Sequence, residues 1–161
     1  MAIDLSTQNK FPHYKVITVN TNATEISLPS QVSQVTFGSS SSALFRPVKG
    51  GIHPREAADH HSIISGEKFR DFILHNNLDI TEIDAVAFSQ GPGLGPCLRV
   101  GASVARSLSE KLEVPLIGVN HCVAHIEIGR LQTGCEDPVL LYVSGGNTQV
   151  IARKGGRYRV I

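Results

Sequence analysis

The sequence predicts an α/β fold in which a parallel sheet is covered by helices. Strand-length apolar runs alternate with helix-length segments from residue 54 onward. Gly/Pro clusters, chiefly Gly91–Pro96 and Gly134–Pro138, punctuate that alternation. The chain has 161 residues, 41% of them hydrophobic, enough for the core of about one domain.

Residues 1–49 hold 16 Ser, Thr or Asn but six charges, whereas residues 50–161 hold the other 23 charges and six of seven histidines. The first part therefore reads as a separate β segment, with short strands over Tyr14–Val19, Glu25–Leu28 and Gln34–Phe37. Turn chemistry at Asn20–Asn22 and Pro29–Ser30 makes an antiparallel meander. Ser39–Ser42 reads as a flexible connection.

In the second part, Pro54 at an early helical position opens a helix running to about residue 76. Ala85–Ser89 is a short apolar strand. A helix over 98–112 follows, with Val100, Val104 and Leu108 on one stripe. Val114–Val119 reads as a second buried strand, and His121 opens a helix to about residue 131. Val139–Val143 and Gln149–Arg153 are two strands about a Gly-Gly-Asn turn, and Tyr158–Ile161 starts another. The expected division is 1–49, an α/β lobe over 50–134, and the start of a second lobe over 135–161.

Composition excludes several classes. Fifteen basic residues nearly cancel 14 acidic ones, so net charge gives no reason to expect nucleic acid or an anionic membrane as partner. Cys97, Cys122 and Cys135 do not make a disulfide scaffold, which favours a reduced, cytoplasmic setting. No apolar run suits a signal peptide or a membrane span.

Four constellations could carry chemistry. His121 and His125 stand four apart on a helix, so both imidazoles can reach one metal ion. Position 122 is Cys and no glutamate lies between them, which departs from the HExxH pattern. Spacing alone leaves a ligand pair and a surface or capped pair both open. A third donor would be Tyr142, Glu127 or a residue from elsewhere, and Cys122 should face away as a small buried residue. The run Tyr142-Val143-Ser144-Gly145-Gly146-Asn147-Thr148 follows an apolar strand. Its backbone amides could hold a phosphate, and the same glycines serve a hairpin turn. Ser89–Pro96, with glycines at 91, 93 and 95, fits neither GxGxxG nor a P-loop; it reads as close backbone packing, with the alternative that the helix it opens offers free amides to an anion or an adjacent domain. His53, His60 and His61 lie in a twelve-residue polar stretch that reads as a helix face or subunit contact. Arg153, Lys154, Arg157 and Arg159 form a basic tail suited to phosphate contact or to a charged strand edge.

In order and wording these motifs resemble the tRNA threonylcarbamoyladenosine transferase family in its archaeal and eukaryotic form, the catalytic subunit of the KEOPS complex. The matching text is GGIHPREAADHH, AVAFSQGPGLGPCLRVGASVARSLS, PLIGVNHCVAHIEIGR and VLLYVSGGNTQVIARKGGRYRVI, over about residues 49–161. The resemblance implies the N-terminal lobe of an actin/hexokinase/Hsp70-like fold plus the first strands of the second lobe. It implies threonylcarbamoyl transfer from threonylcarbamoyl-adenylate to a tRNA adenosine next to the anticodon. His121, His125 and Tyr142 match metal ligands, Tyr142 coming from the opposite lobe, and the metal is one divalent ion, iron or zinc. Tyr142, Val143, Ser144, Gly145 and Gly146 match the loop holding the adenylate or an ATP-like nucleotide. Helices 54–76 and 98–112 match the surface that meets KEOPS-type partner proteins. The opening phosphate loop and the C-terminal half of the family have no counterpart, so the expectation is a truncated transferase. The alternative is a non-catalytic truncated or chimaeric relative retaining only partner or metal binding.

Overall fold

A computed structural model of the chain describes residues 16–20, 25–27, 53–75, 77–144 and 147–161. The expected strand over 34–37, the Ser39–Ser42 connection and the Gly145–Gly146 pair lie outside the described residues. The chain divides into two compact units, one ending at Val119 and the other comprising Asn120–Ile161.

The N-terminal unit contains β1 (Val16–Asn20), β2 (Glu25–Ser27), α1 (Pro54–His75), β3 (Ala85–Gly91), α2 (Gly95–Leu112) and β4 (Leu116–Asn120). The strand order is β2-β1-β3-β4. β1 pairs antiparallel with β2 (Val19 opposite Ile26) and parallel with β3 (Val16 opposite Ala85). The early β segment is thus joined to the later sheet through the β1–β3 pair. A 3₁₀ turn at Ile80–Glu82 precedes β3, and Asp79 caps it by accepting from the Thr81 amide at 2.9 Å. Asx-type capping of this kind does not need hydrophobic periodicity, so the pattern search passes over it.

Three expectations shift. α2 begins at Gly95, three residues before the expected start, with Pro96 in its first turn. Proline there forfeits no helical hydrogen bond, so the Gly-Pro pair starts the helix as well as breaking the chain before it. The most buried line of α2 is Cys97, Gly101, Ala105 and Ser109, and Val100, Val104 and Leu108 flank it. Small residues let the helix approach closely: Cys97 packs with Ala57 and Ala58 of α1, and its thiol donates to the Pro54 carbonyl at 3.7 Å. β4 is not buried. It lies at the sheet edge, where Leu116 is exposed. An apolar run cannot by itself distinguish an edge from a central strand.

The main apolar cluster of this unit has Val19, Val86 and Ala105 at its centre and Phe88, Val104, Leu108 and Leu112 around them. α2 ends where Glu113 takes a left-handed conformation (φ 56°) and Ser109 Oγ donates to the Val114 carbonyl at 2.6 Å.

The C-terminal unit contains α3 (His121–Thr133) and an antiparallel sheet of β5 (Val139–Ser144), β6 (Asn147–Lys154) and β7 (Arg157–Val160), in the order β5-β6-β7. Asn120 caps α3, its side-chain oxygen accepting from the amides of Cys122 (3.0 Å) and Val123 (3.2 Å). Gly134 closes the helix at φ 68° with its N–H on the Arg130 carbonyl, a conformation that suits glycine. Leu140 and Tyr142 of β5 face α3, whereas Val139, Leu141 and Val143 are exposed on the other face. Ser144 pairs with Asn147, which leaves two residues for the β5–β6 connection.

Candidate functional site

The densest polar chemistry among the described residues lies in the C-terminal unit, between α3 and its sheet. At about 100° per residue, His121 and His125 fall within about 40° of each other on the helix. Their Nε2 atoms stand 3.2 Å apart, with ring centroids at 4.6 Å and the planes nearly perpendicular. Two nitrogens each about 2.0–2.1 Å from one ion are roughly 2.8–3.4 Å apart for ligand angles between octahedral and tetrahedral. The observed separation lies inside that interval, so the pair fits a shared cation as well as it fits an N–H···N hydrogen bond.

Tyr142 sits beside both rings, its centroid 6.2 Å from His121 and 5.6 Å from His125. It is buried in the cluster formed with Cys122, Ile126 and Ile151. Cys122 faces that cluster and not the histidine pair, as expected. Burial pushes the His121 pKa below its ordinary value, and the neighbouring His125 lowers it further. A neutral imidazole keeps the lone pair that a metal requires. Among the described residues, no group of three or more His, Cys, Asp or Glu side chains converges to hold a metal ion. Tyr142 is outside that set of residue types, and its ring stands beside both histidines.

Glu127 does not join the histidines. Its carboxylate accepts from Arg130 Nη1 at 2.5 Å and from the Tyr158 hydroxyl, and lies 3.6 Å from Arg153 Nε. Arg153 also reaches Asp137 Oδ1 at 3.3 Å, and Arg130 Nε donates to the Glu136 carbonyl at 3.0 Å. Burial, with Glu127 as acceptor, raises the Tyr158 pKa and keeps it a phenol. Arg153 is therefore an internal ion-pair partner and is withdrawn from the basic tail, while Lys154, Arg157 and Arg159 remain exposed. Sequence reasoning missed this network. Its members come from three elements, and only the Glu127–Arg130 spacing of three is visible in one stretch of chain.

Of the expected adenylate loop, Tyr142 is buried and Val143 is exposed on the opposite face of β5. Ser144 is placed as the last residue of that strand, and Gly145 and Gly146 lie outside the described residues. In the N-terminal unit, His60 and His61 do point to different environments. His61 is buried with Nδ1 lacking a hydrogen-bond partner, and burial lowers its pKa, with His60 adding to the effect.

Comparison with known proteins defines the class. The family model described as TsaD, tRNA N6-adenosine threonylcarbamoyltransferase, matches residues 37–161, beginning earlier than the motifs alone indicate. The chain belongs to that family. It is 61% identical over 116 residues to the tRNA N6-adenosine threonylcarbamoyltransferase of Archaeoglobus fulgidus, covering 71% of this chain and 35% of that protein. It is 60% identical over 119 residues to a probable bifunctional tRNA threonylcarbamoyladenosine biosynthesis protein of Methanocaldococcus jannaschii, covering 73% of this chain and 22% of that one. The chain thus spans about a third of the single-function relative and less than a quarter of the bifunctional one. Among solved structures, YeaZ from Pseudomonas aeruginosa superposes with a TM-score of 0.56 at 16% identity, over 92% of this chain and 64% of that chain. That likeness shows the fold, α/β of the actin/hexokinase/Hsp70 type. No helix among the described residues is long and apolar enough to cross a membrane.

Proposed function

We propose that the chain supplies the metal- and adenylate-holding part of a tRNA N6-adenosine threonylcarbamoyltransferase. The observation that carries the reading is the 3.2 Å approach of His121 and His125 Nε2 beside buried Tyr142, in a segment that belongs to this family. His121, His125 and Tyr142 hold one divalent ion, iron or zinc. Imidazole and phenolate suit both. When bound, the ion supplies Lewis-acid polarisation of an oxygen of the acyl-adenylate.

The remaining work falls to the chain. Asn120 fixes the start of α3 and so the position of His121, and the buried face of Cys122 and Ile126 seats the helix on β5 and β6. The stretch Tyr142, Val143, Ser144, Gly145 and Gly146 serves as the adenylate loop, and backbone amides are the donors that stabilise a phosphate's negative charge. In the reaction, the exocyclic amine of the tRNA adenosine bonds to the carbamoyl carbon. The bond from that carbon to the phosphate oxygen breaks, AMP departs, and the amine gives up a proton. Substrate tRNA is met with the help of KEOPS-type partner proteins in the cytoplasm, since the chain's own net charge of +1 gives little electrostatic attraction.

The alternative reading is a non-catalytic relative that retains only partner or metal binding. Equilibrium dialysis of labelled threonylcarbamoyl-adenylate against the 161-residue chain, followed by transfer to tRNA, separates the two. Retention and transfer, both lost in His121→Ala/His125→Ala, support the transferase. Retention without transfer supports the non-catalytic form. A chain that holds neither adenylate nor metal contradicts both.

A further inference from the structure

α3 lies across the three-stranded sheet with different chemistry on its two flanks. At about 100° per residue, Cys122 and Ile126 define its buried line. The histidine pair lies about 100° to one side of that line, and Glu127 with Arg130 about 90° to the other. The sheet beneath is ordered to match. Tyr142, beside the histidines, is on edge strand β5, Arg153 is on central β6, and Tyr158 is on the opposite edge β7. The apolar contacts of Cys122 and Ile126 oppose separation of helix and sheet, but dispersion and burial are non-directional and leave the helix free to roll. Direction comes from the Glu127 carboxylate, which is tied to Tyr158 and Arg153 on the sheet and to Arg130 on its own helix.

We propose that Glu127 is the positioning residue of the site: by holding Tyr158 and Arg153 it sets the roll of α3 over the sheet, and hence the distance of the His121–His125 pair from Tyr142. The two histidines share one helix, so a roll leaves their mutual separation unchanged and moves both relative to β5. For an atom about 5–6 Å from the helix axis, a roll of about 10° is a displacement of roughly 1 Å. Metal–ligand distances tolerate about 0.2 Å. A small loss of angular restraint therefore matters to a site that draws its third donor from the sheet, while costing the apolar contacts little. The role in setting the roll stands on the contacts of Glu127, and its consequence for metal rests on the reading given under Proposed function.

The test compares the 161-residue wild type with Glu127→Ala and Tyr158→Phe. Nuclear Overhauser contacts between the His121, His125 and Tyr142 rings are read without metal, and cobalt(II) affinity is read by titration. Resonances of Ile17 and Ala105 report whether the N-terminal unit is intact. The expected result for Glu127→Ala is loss of the histidine–Tyr142 contacts and a rise in the cobalt dissociation constant of about 10- to 100-fold, the range for outer-shell partners. Tyr158→Phe keeps the ring in the core and removes one hydrogen bond, so about a fivefold rise and weakened contacts are expected. If Glu127→Ala does not fold, Tyr158→Phe carries the test. Unchanged ring contacts and affinity in either folded variant overturn the proposal. So does a wild type that lacks the ring contacts. A wild type that binds no cobalt, yet shows ring contacts that Glu127→Ala abolishes, defeats the metal reading and upholds the role of Glu127.

Discussion

The two compact units are built from similar materials and differ in where they place polar groups. In the N-terminal unit apolar clusters form the core, with Val19, Val86 and Ala105 in one and Ala57, Ala58 and Cys97 between the helices, and His61, Ser89 and Ser109 are buried as well. Its polar side-chain bonds include a turn cap at Asp79 and a helix end at Ser109, with the exposed Arg106–Glu110 pair along α2. In the C-terminal unit a smaller apolar cluster is flanked by a histidine pair on one side and a Glu–Arg–Tyr network on the other. Removing one member of a buried polar network leaves its partners unsatisfied, so such groups are costly unless the whole set is held. Packing thus accounts for the first unit. The second joins Glu127 and Arg130 of its helix to Arg153 and Tyr158 of its sheet, with the histidine pair on the other flank of α3.

Core truncation should break this contrast most forcefully. Ile17 and Ile126 are both fully buried, one in each unit, and replacement by Ala should cost about 2–5 kcal/mol in either case. Denaturant melts would measure the loss. The contrast predicts that Ile126→Ala also disturbs the histidine rings by NMR, whereas Ile17→Ala leaves them unchanged. Equal disturbance by both would erase the functional distinction.

The helix ends give the next effect. Asn120→Ala removes the acceptor for two α3 amides and should cost about 1 kcal/mol, together with a weaker metal site because His121 follows directly. The C-terminal ends of α2 and α3 differ in a way that substitution can expose. Both use a left-handed residue, Glu113 in one and Gly134 in the other. Gly134→Ala should destabilise by about 1 kcal/mol, and Glu113→Gly should be neutral or stabilising by a few tenths.

Protonation should act on both units in the same direction. His61 and His121 each have a folded pKa below the unfolded value of about 6.5. The unfolded chain therefore binds more protons in the window below that value. The stability contribution is complete above about pH 6.5 and is lost as pH falls through the folded pKa values. Urea melts from pH 7.5 to 5 should show the decline, and His61→Leu should remove the N-terminal share of it. At the bottom of the scale, Arg106 and Glu110 form an exposed i,i+4 pair, and Glu110→Ala should change stability by no more than about 0.5 kcal/mol.

Much of the architecture was legible because its signals are local. α3 has an Asn before its first turn, a Gly after its last and two histidines four apart, and all three can be read in a fifteen-residue window. The β5–β6 pairing follows from alternation on either side of the Gly-Gly pair in the sequence. Errors arose where neighbours decide. The run ending at Val119 is apolar enough for a central strand, yet β4 is an edge. Gly95 and Pro96 look like breakers and instead begin α2. The histidine pair and Tyr142 were legible as candidate site residues through their family text, and their approach to one another is a structural result. Glu127, Arg153 and Tyr158 were not legible as a unit, because a charge on a helix gives no indication which strand will neutralise it.

The central claim is that His121, His125 and Tyr142 form one metal site. A cobalt(II) titration of the 161-residue chain, read by calorimetry, tests it most directly. The expected result is one ion per chain, with binding lost in His121→Ala/His125→Ala and weakened in Tyr142→Phe. No binding by the wild type, or the same stoichiometry and affinity in both variants, would contradict it.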